Sequence, residues 1–167
     1  EGDVGSGKTV VALIAAYQIA RAGYQAVFMA PTEILANQHF NTVTSLVTDN
    51  SVKIGLLTAS MSKINNGNIS KKMLKDKIHS AEINIIIGTH AVLQKDVNFK
   101  NLAMVVIDEQ HKFGVIQRLK LKEKGCCPDV LIMTATPIPR TLSITLFGDL
   151  DISILDEMPP GRTPIKT

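Results

Sequence analysis

The sequence predicts an α/β domain with a mostly parallel central sheet and helices on both faces. Three observations carry this expectation. Short runs rich in Val, Ile and Leu alternate with longer amphipathic segments along the chain. The apolar runs are continuous rather than alternating, the pattern of strands buried on both faces. Polar, chemistry-bearing motifs follow the ends of those runs, where open α/β sheets present their ligand sites.

In chain order, the pattern gives a helix over 9–22, a strand over 25–30, a helix over 33–47 and a strand over 52–57. Then come a polar surface loop over 58–67, a helix over 70–79 and strands over 83–87 and 102–107. A helix over 114–123, a strand over 130–133, a helix over 138–147 and a strand over 152–155 complete the pattern. Asn65-Asn66-Gly67 is the turn signal that makes 58–67 a mobile loop. Parallel crossovers of this kind are right-handed. Residues 1–157 read as one domain, and 158–167, with Pro159, Pro160, Pro164 and Gly161, as a linker that cannot continue a helix.

The chain of 167 residues is long enough for one domain with its own core. Apolar residues make up 45% and charged residues 20%, ordinary values for a soluble protein, and no apolar run approaches a membrane span. No signal segment opens the chain, so the expectation is a cytoplasmic protein without a membrane partner. A net charge of +3 excludes a surface that grips nucleic acid all round, while leaving one phosphate-facing face open. With 4% aromatic residues and no Trp, the composition also argues against a base-stacking platform. Cys126 and Cys127 are adjacent and have no further Cys partners, which excludes a zinc site and a disulfide framework.

Gly2-Asp3-Val4-Gly5-Ser6-Gly7-Lys8-Thr9 fits the spacing G-x-x-x-x-G-K-[ST] of a phosphate-binding loop. The glycines let the backbone wrap an anion with N–H groups turned inward, and the helix that follows presents its positive end. Lys8 reaches the β and γ phosphates of ATP, and the Thr9 hydroxyl is a ligand for Mg2+. The alternative is a glycine-rich turn before a helix. Four fixed positions arise by chance in well under ~1% of chains this long, which favours the phosphate loop. Such a loop normally follows a buried strand, and only Glu1 precedes Gly2, so the sequence reads as a piece of something longer.

The run over 102–107 leads directly into Asp108-Glu109-Gln110-His111. Asp108 is placed to hold Mg2+ through water, and Glu109 to orient and activate an attacking water. An acidic pair after a strand is often only solvated, but about a hundred residues after a phosphate loop it is a strong signal. Gln110 and His111 read as coupling residues, linking nucleotide state to the next motif.

Together these residues resemble superfamily 2 helicases. Asp108-Glu109-Gln110-His111 is similar to their DExH box, Ala30-Pro31-Thr32-Glu33 to motif Ia, Gly88-Thr89-His90 to motif Ib and Thr134-Ala135-Thr136 to motif III, all in the family's order. Thr134-Ala135-Thr136-Pro137-Ile138-Pro139-Arg140, Gly148-Asp149-Leu150-Asp151 and Pro159-Pro160-Gly161-Arg162 narrow the resemblance to bacterial helicases that remodel branched DNA. Lys112 departs from the Arg more usual there. The resemblance implies a first RecA-like lobe that uses ATP and Mg2+. It also implies branched duplex DNA as partner, with a second RecA-like lobe and an N-terminal wedge domain in the same parent chain. Thr134, Ala135, Thr136 and Arg140 would couple ATP to movement. Thr32, Thr89 and His90 would meet DNA phosphates, although Thr32 serves equally as a helix cap. The isolated lobe is expected to be nearly inactive. Lys71, Lys72, Lys75 and Lys77 read as a solvated face. Lys112, Lys120, Lys122 and Lys124 with Arg118 remain open to a duplex-facing role. A transcription-repair coupling translocase, a P-loop kinase of small molecules and a non-catalytic DNA-binding module are the rival readings. Gln110 counts against the first, the acidic box and Thr-Ala-Thr run against the second, and intact Lys8 and Glu109 against the third.

Overall fold

The computed structural model describes residues 7–65, 67–108 and 128–134, together with Ser153 and Leu155. The helices expected over 114–123 and 138–147, most of the strand expected over 152–155 and the linker lie outside the described residues. In chain order the elements are α1 (Lys8–Arg21), β1 (Gln25–Met29), α2 (Glu33–Leu46), β2 (Ile54–Leu57), β3 (Ser62–Ile64), β4 (Gly67–Asn68), α3 (Lys71–His79), β5 (Ile85–Gly88), a 3₁₀ turn (His90–Leu93), β6 (Leu102–Asp108) and β7 (Asp129–Met133).

The strands form one sheet in the order β4-β3-β2-β5-β1-β6-β7. The pairs β2–β5, β5–β1, β1–β6 and β6–β7 are parallel, and only the β2–β3 and β3–β4 pairs are antiparallel. All five β1 residues are buried, as are all four of β2 and of β5. The reason is a core on each side. Phe28, Ile85, Ile87 and Val106 face Ala12, Leu13 and Ala16 of α1 and Ala36, Phe40 and Val43 of α2. Val27, Ile86, Val105 and Ile107 face Leu74 and Ile78 of α3 and Val92 of the 3₁₀ turn. Successive strand residues point to opposite faces, so a strand covered on both must be apolar throughout.

Local chemistry sets the helix limits. Gly23 has φ 86°, its N–H donates to Ala20 O, and Tyr24 N–H donates to Ile19 O, the paired bonds of a Schellman stop for α1. Ser70 caps α3, its hydroxyl accepting from Met73 N–H at 3.3 Å. Gly88, where β5 and β2 converge, is a close approach: a Cβ there would lie 2.2 Å from Leu57 O and 2.7 Å from Val92 Cγ1.

One expectation is corrected, and one element was not foreseen. The segment 58–67 is not a plain loop, because Ser62–Ile64 and Gly67–Asn68 add two antiparallel strands to the sheet. Asn65 makes this possible. It adopts a left-handed φ of 47°, its N–H donates to Ile54 O at 2.8 Å, and its Oδ1 accepts from Ile54 N–H at 3.1 Å. The turn signal was correctly placed, but it closes a hairpin. The 3₁₀ turn after β5 was not anticipated either; Ala91 and Val92 pin it into the second core.

Gln25, fully buried, is the polar clamp of the sheet. Its Nε2 donates to Ile78 O (2.8 Å) and Ile83 O (3.0 Å), and its Oε1 accepts from Lys100 N–H (3.0 Å) and Asn101 N–H (3.3 Å). Both donors and both acceptor lone pairs of the amide are thereby used. The side chain ties the lead-ins of β5 and β6 to the first residue of β1. Replacing Gln25 by Leu leaves four backbone groups without this partner. The expected cost is about 2–4 kcal/mol, read as a lowered midpoint in urea unfolding; an unchanged midpoint would show that the clamp contributes nothing net.

Candidate nucleotide site at the carboxyl edge of the sheet

Parallel strands end at a common edge, and the register aligns their exits closely. Met29 pairs with Gly88 on one side and Ile107 on the other, and Asp108 pairs with Met133. Ala30, Thr89, Asp108 and Thr134 therefore leave the sheet side by side. The helix α1 joins the start of β1 through the Gly23 turn and packs back along the sheet, which returns its N-terminus to this same edge. Gly7-Lys8-Thr9, Thr89, Asp108 and Thr134 thus lie along one edge of the sheet.

At Gly7 the backbone has φ 87°, and no side chain caps the helix. A glycine accepts this left-handed turn without strain. Val10 and Val11 N–H both donate to Gly7 O, so the helix starts tightly on that residue. Its first turn carries no acidic residue, which keeps the positive end of the dipole suited to an anion. Gly2, Asp3, Val4, Gly5 and Ser6 lie outside the described residues, as do Glu109, Gln110, His111, Ala135, Thr136 and Arg140.

Asp108 closes β6 with its side chain 19% exposed, and Oδ2 lies 2.8 Å from His39 Nε2. A carboxylate only accepts, so the ring nitrogen carries the proton in this bond. His39 belongs to α2, is itself only 12% exposed, and rests against Phe28 with ring centroids 5.4 Å apart and planes at 48°. Sequence reasoning missed this residue. Its one signal was position: His39 flanks the buried stripe Ala36, Phe40 and Val43 of α2, on the face turned to the sheet.

Thr32 caps α2, its Oγ1 accepting from Leu35 N–H at 3.3 Å. That is the capping reading; the side chain remains on the exposed surface at the edge. Thr89 is buried at 7%, and its N–H donates to Leu57 O at 3.4 Å. His90 is exposed on the 3₁₀ turn, and Thr134 is buried at 5%. Glu33 was named within the motif Ia stretch without a role of its own; its carboxylate holds the loop after β2, accepting from Ser60 N–H at 3.0 Å and from the Ser60 hydroxyl. Those bonds, the hydroxyl's first, keep the Glu33 carboxyl below the ordinary carboxylate range. Lys71 donates to Ala59 O in the same loop, Lys75 pairs with Asp96 at 2.6 Å, and Lys77 pairs with Glu82 at 2.5 Å. Much of the first lysine cluster is thus engaged in local contacts.

Asp108 and Thr9 offer one carboxylate and one hydroxyl, hard oxygen donors of the kind Mg2+ takes together with substrate phosphates and water. Among the described residues no three His, Cys, Asp or Glu side chains gather into an all-protein metal cage. A separate groove of about 370 Å³ against α1 and the end of α2 is lined chiefly by apolar side chains such as Val10, Ile14 and Leu46. Its carboxylate, Asp49, is already taken by Arg21 (2.6 Å) and Tyr17 (3.0 Å).

Comparison with known proteins agrees with this geometry. The DEAD/DEAH box helicase family model matches residues 1–145. The chain is 53% identical over its whole length to the ATP-dependent DNA helicase RecG of Bacillus subtilis and to that of Streptococcus pneumoniae, and spans 24% of each. It is 48% identical to RecG of Aquifex aeolicus, of which it spans 21%. Among solved structures, it resembles a Saccharomyces cerevisiae Dbp5 variant bound to Nup159, Gle1, IP6 and ADP, with TM-score 0.67 and 18% identity, covering 95% of this chain and 43% of that one. A DUF1998 helicase, MrfA, bound to DNA aligns with TM-score 0.66 and 20% identity, covering 93% of this chain and 24% of that one. The fold is the RecA-like P-loop α/β fold of helicase domains, and with a match covering most of its length, the chain belongs to the DEAD/DEAH box helicase family.

Proposed function

We propose that this chain is the ATP-binding motor lobe of a bacterial DNA helicase that remodels branched DNA, such as stalled forks and Holliday junctions. The observation that supports the proposal is that α1 starts with Lys8 and Thr9, and β6 ends with Asp108, at the same edge of the sheet. Similarity to RecG proteins over the whole chain supports the choice of branched DNA.

In this reading Gly2 through Thr9 enclose the phosphates of ATP with backbone N–H groups, and Lys8 holds the β and γ phosphates. The Thr9 hydroxyl and Asp108, the latter through water, would hold Mg2+, which neutralises charge on the phosphates when bound. Glu109 orients the water that attacks the γ phosphate. Gln110, His111, Thr134, Ala135, Thr136 and Arg140 couple nucleotide state to movement. Thr32, Thr89 and His90, with nearby backbone N–H groups, meet DNA phosphates, which fixes register without reading sequence. Residues 1–157 form the lobe, and 158–167 lead to a second RecA-like lobe that supplies an arginine to the transition state. Such an arginine contributes about 10³–10⁵ in rate. A wedge domain of the parent chain recognises the branch, and the protein works in the cytoplasm.

Steady-state ATP hydrolysis by the parent protein should rise strongly with forked DNA, rise less with linear duplex, and vanish in Lys8→Ala. Equal stimulation by both DNAs would point instead to a translocase of the transcription-repair coupling type. Glu109→Gln should retain ATP binding while hydrolysis falls by at least about 10²-fold; near-normal turnover would remove Glu109 from its role. The lobe expressed by itself should turn over ATP at least about 10³-fold more slowly than the parent, and brisk DNA-stimulated turnover by the lobe alone would show that no second lobe is needed.

A further inference from the structure

We infer that His39 is a positioning residue for the metal-side carboxylate, holding Asp108 in the orientation in which it receives the magnesium nucleotide. The inference rests on the proposed nucleotide site and names a residue which no motif of that site includes.

The argument begins with the strand end. Asp108 is the last residue of β6, and an aspartate side chain at a strand terminus turns about two bonds unless something fixes it. The 2.8 Å bond from His39 Nε2 to Oδ2 does so, engaging one carboxylate oxygen and leaving Oδ1 outside that bond. The imidazole is itself held. It projects from the middle of α2, a helix anchored through buried Ala36, Phe40 and Val43, and it packs on Phe28, which is fully buried in β1. The adjoining strands β1 and β6 supply the two contacts of the ring, since Phe28 pairs with Val106, two residues before Asp108. A hydrogen bond to a metal-side carboxylate from a group fixed by the core is the arrangement that pre-orients a ligand, and its loss typically costs 10–100-fold in metal affinity. A histidine that served packing alone would not need its nitrogen directed at this carboxylate.

The test uses the intact parent protein and a fluorescent ADP analogue, with binding followed at equilibrium as Mg2+ is added and again in EDTA. His39→Ala should raise the half-saturating Mg2+ concentration about tenfold while leaving affinity in EDTA unchanged. His39→Gln, whose amide N–H can stand in for Nε2–H without the ring, should return the Mg2+ dependence to within about threefold of the parent. An unchanged Mg2+ dependence in His39→Ala would overturn the inference. So would a Gln variant as impaired as Ala, which would assign His39 to packing on Phe28. Equal loss with and without Mg2+, accompanied by a lower melting temperature, would assign it to the fold. A parent that binds no nucleotide analogue would overturn the proposed site itself, a result distinct from any change confined to the variants.

Discussion

The site depends on one constraint: β1 runs in the same direction as both of its neighbours, and each face of the sheet is sealed by helix. Parallel pairing slants every carbonyl and N–H toward its partner strand and sends every chain exit to the same edge. With Met29 in register with both Gly88 and Ile107, the exits of β1, β5 and β6 cannot separate without breaking the ladder. The chemical groups at Thr89 and Asp108 are thus held at fixed spacing by backbone hydrogen bonds deep in the core. Return of α1 along the sheet then places Lys8 and Thr9 at that edge. Burying the apolar faces of Val, Ile and Leu provides the driving force, and it also produces the geometry of the site.

Such a sheet leaves little room for polar atoms inside; those of the Gln25 amide are fully used, whereas Thr44 Oγ1 and Asn101 Oδ1 are buried without a hydrogen-bond partner among the described residues. Gln25 satisfies four backbone groups at the opposite edge, where the chain enters β1, β5 and β6. One edge is thus locked by a side-chain amide, while the other is left to short side chains and glycine. Gly88 illustrates the second condition. Its missing Cβ lets β5 and the 3₁₀ turn approach Leu57, so that Thr89 emerges beside the end of β2. Ion pairs contribute less. Arg21 and Asp49 meet at 2.6 Å, and Asp49 lies well below the usual carboxylate range, chiefly through hydrogen bonds from Ser51 and secondarily from Arg21. Arg21 is largely exposed and Asp49 partly so, and a pair open to water adds little to stability.

Much of this was legible from residue order. The continuous apolar runs announced strands covered on both faces, and β1, β2 and β5 are buried at every residue. Thr32 announced the start of α2, because its hydroxyl acts within a few residues. The hairpin of Ser62–Ile64 and Gly67–Asn68 was misread as a loop because its residues are mostly polar and none is fully buried; strands at the margin of a sheet need no apolar run, and this pair depends on finding β2 as a partner.

The sequence by itself determined the class of fold, and it carries the expected phosphate loop and acidic box in contiguous residues. Tertiary structure alone decided which distant residues meet. Nothing local distinguishes His39 from any other helical histidine, and nothing local marks Gln25 as more than a strand's first residue. His39 reaches Asp108 across 69 positions of chain, and Gln25 reaches Lys100 and Asn101 across 75 and 76. Contacts of that kind are set by strand order and helix packing, which fix distances between segments only after the whole sheet has assembled.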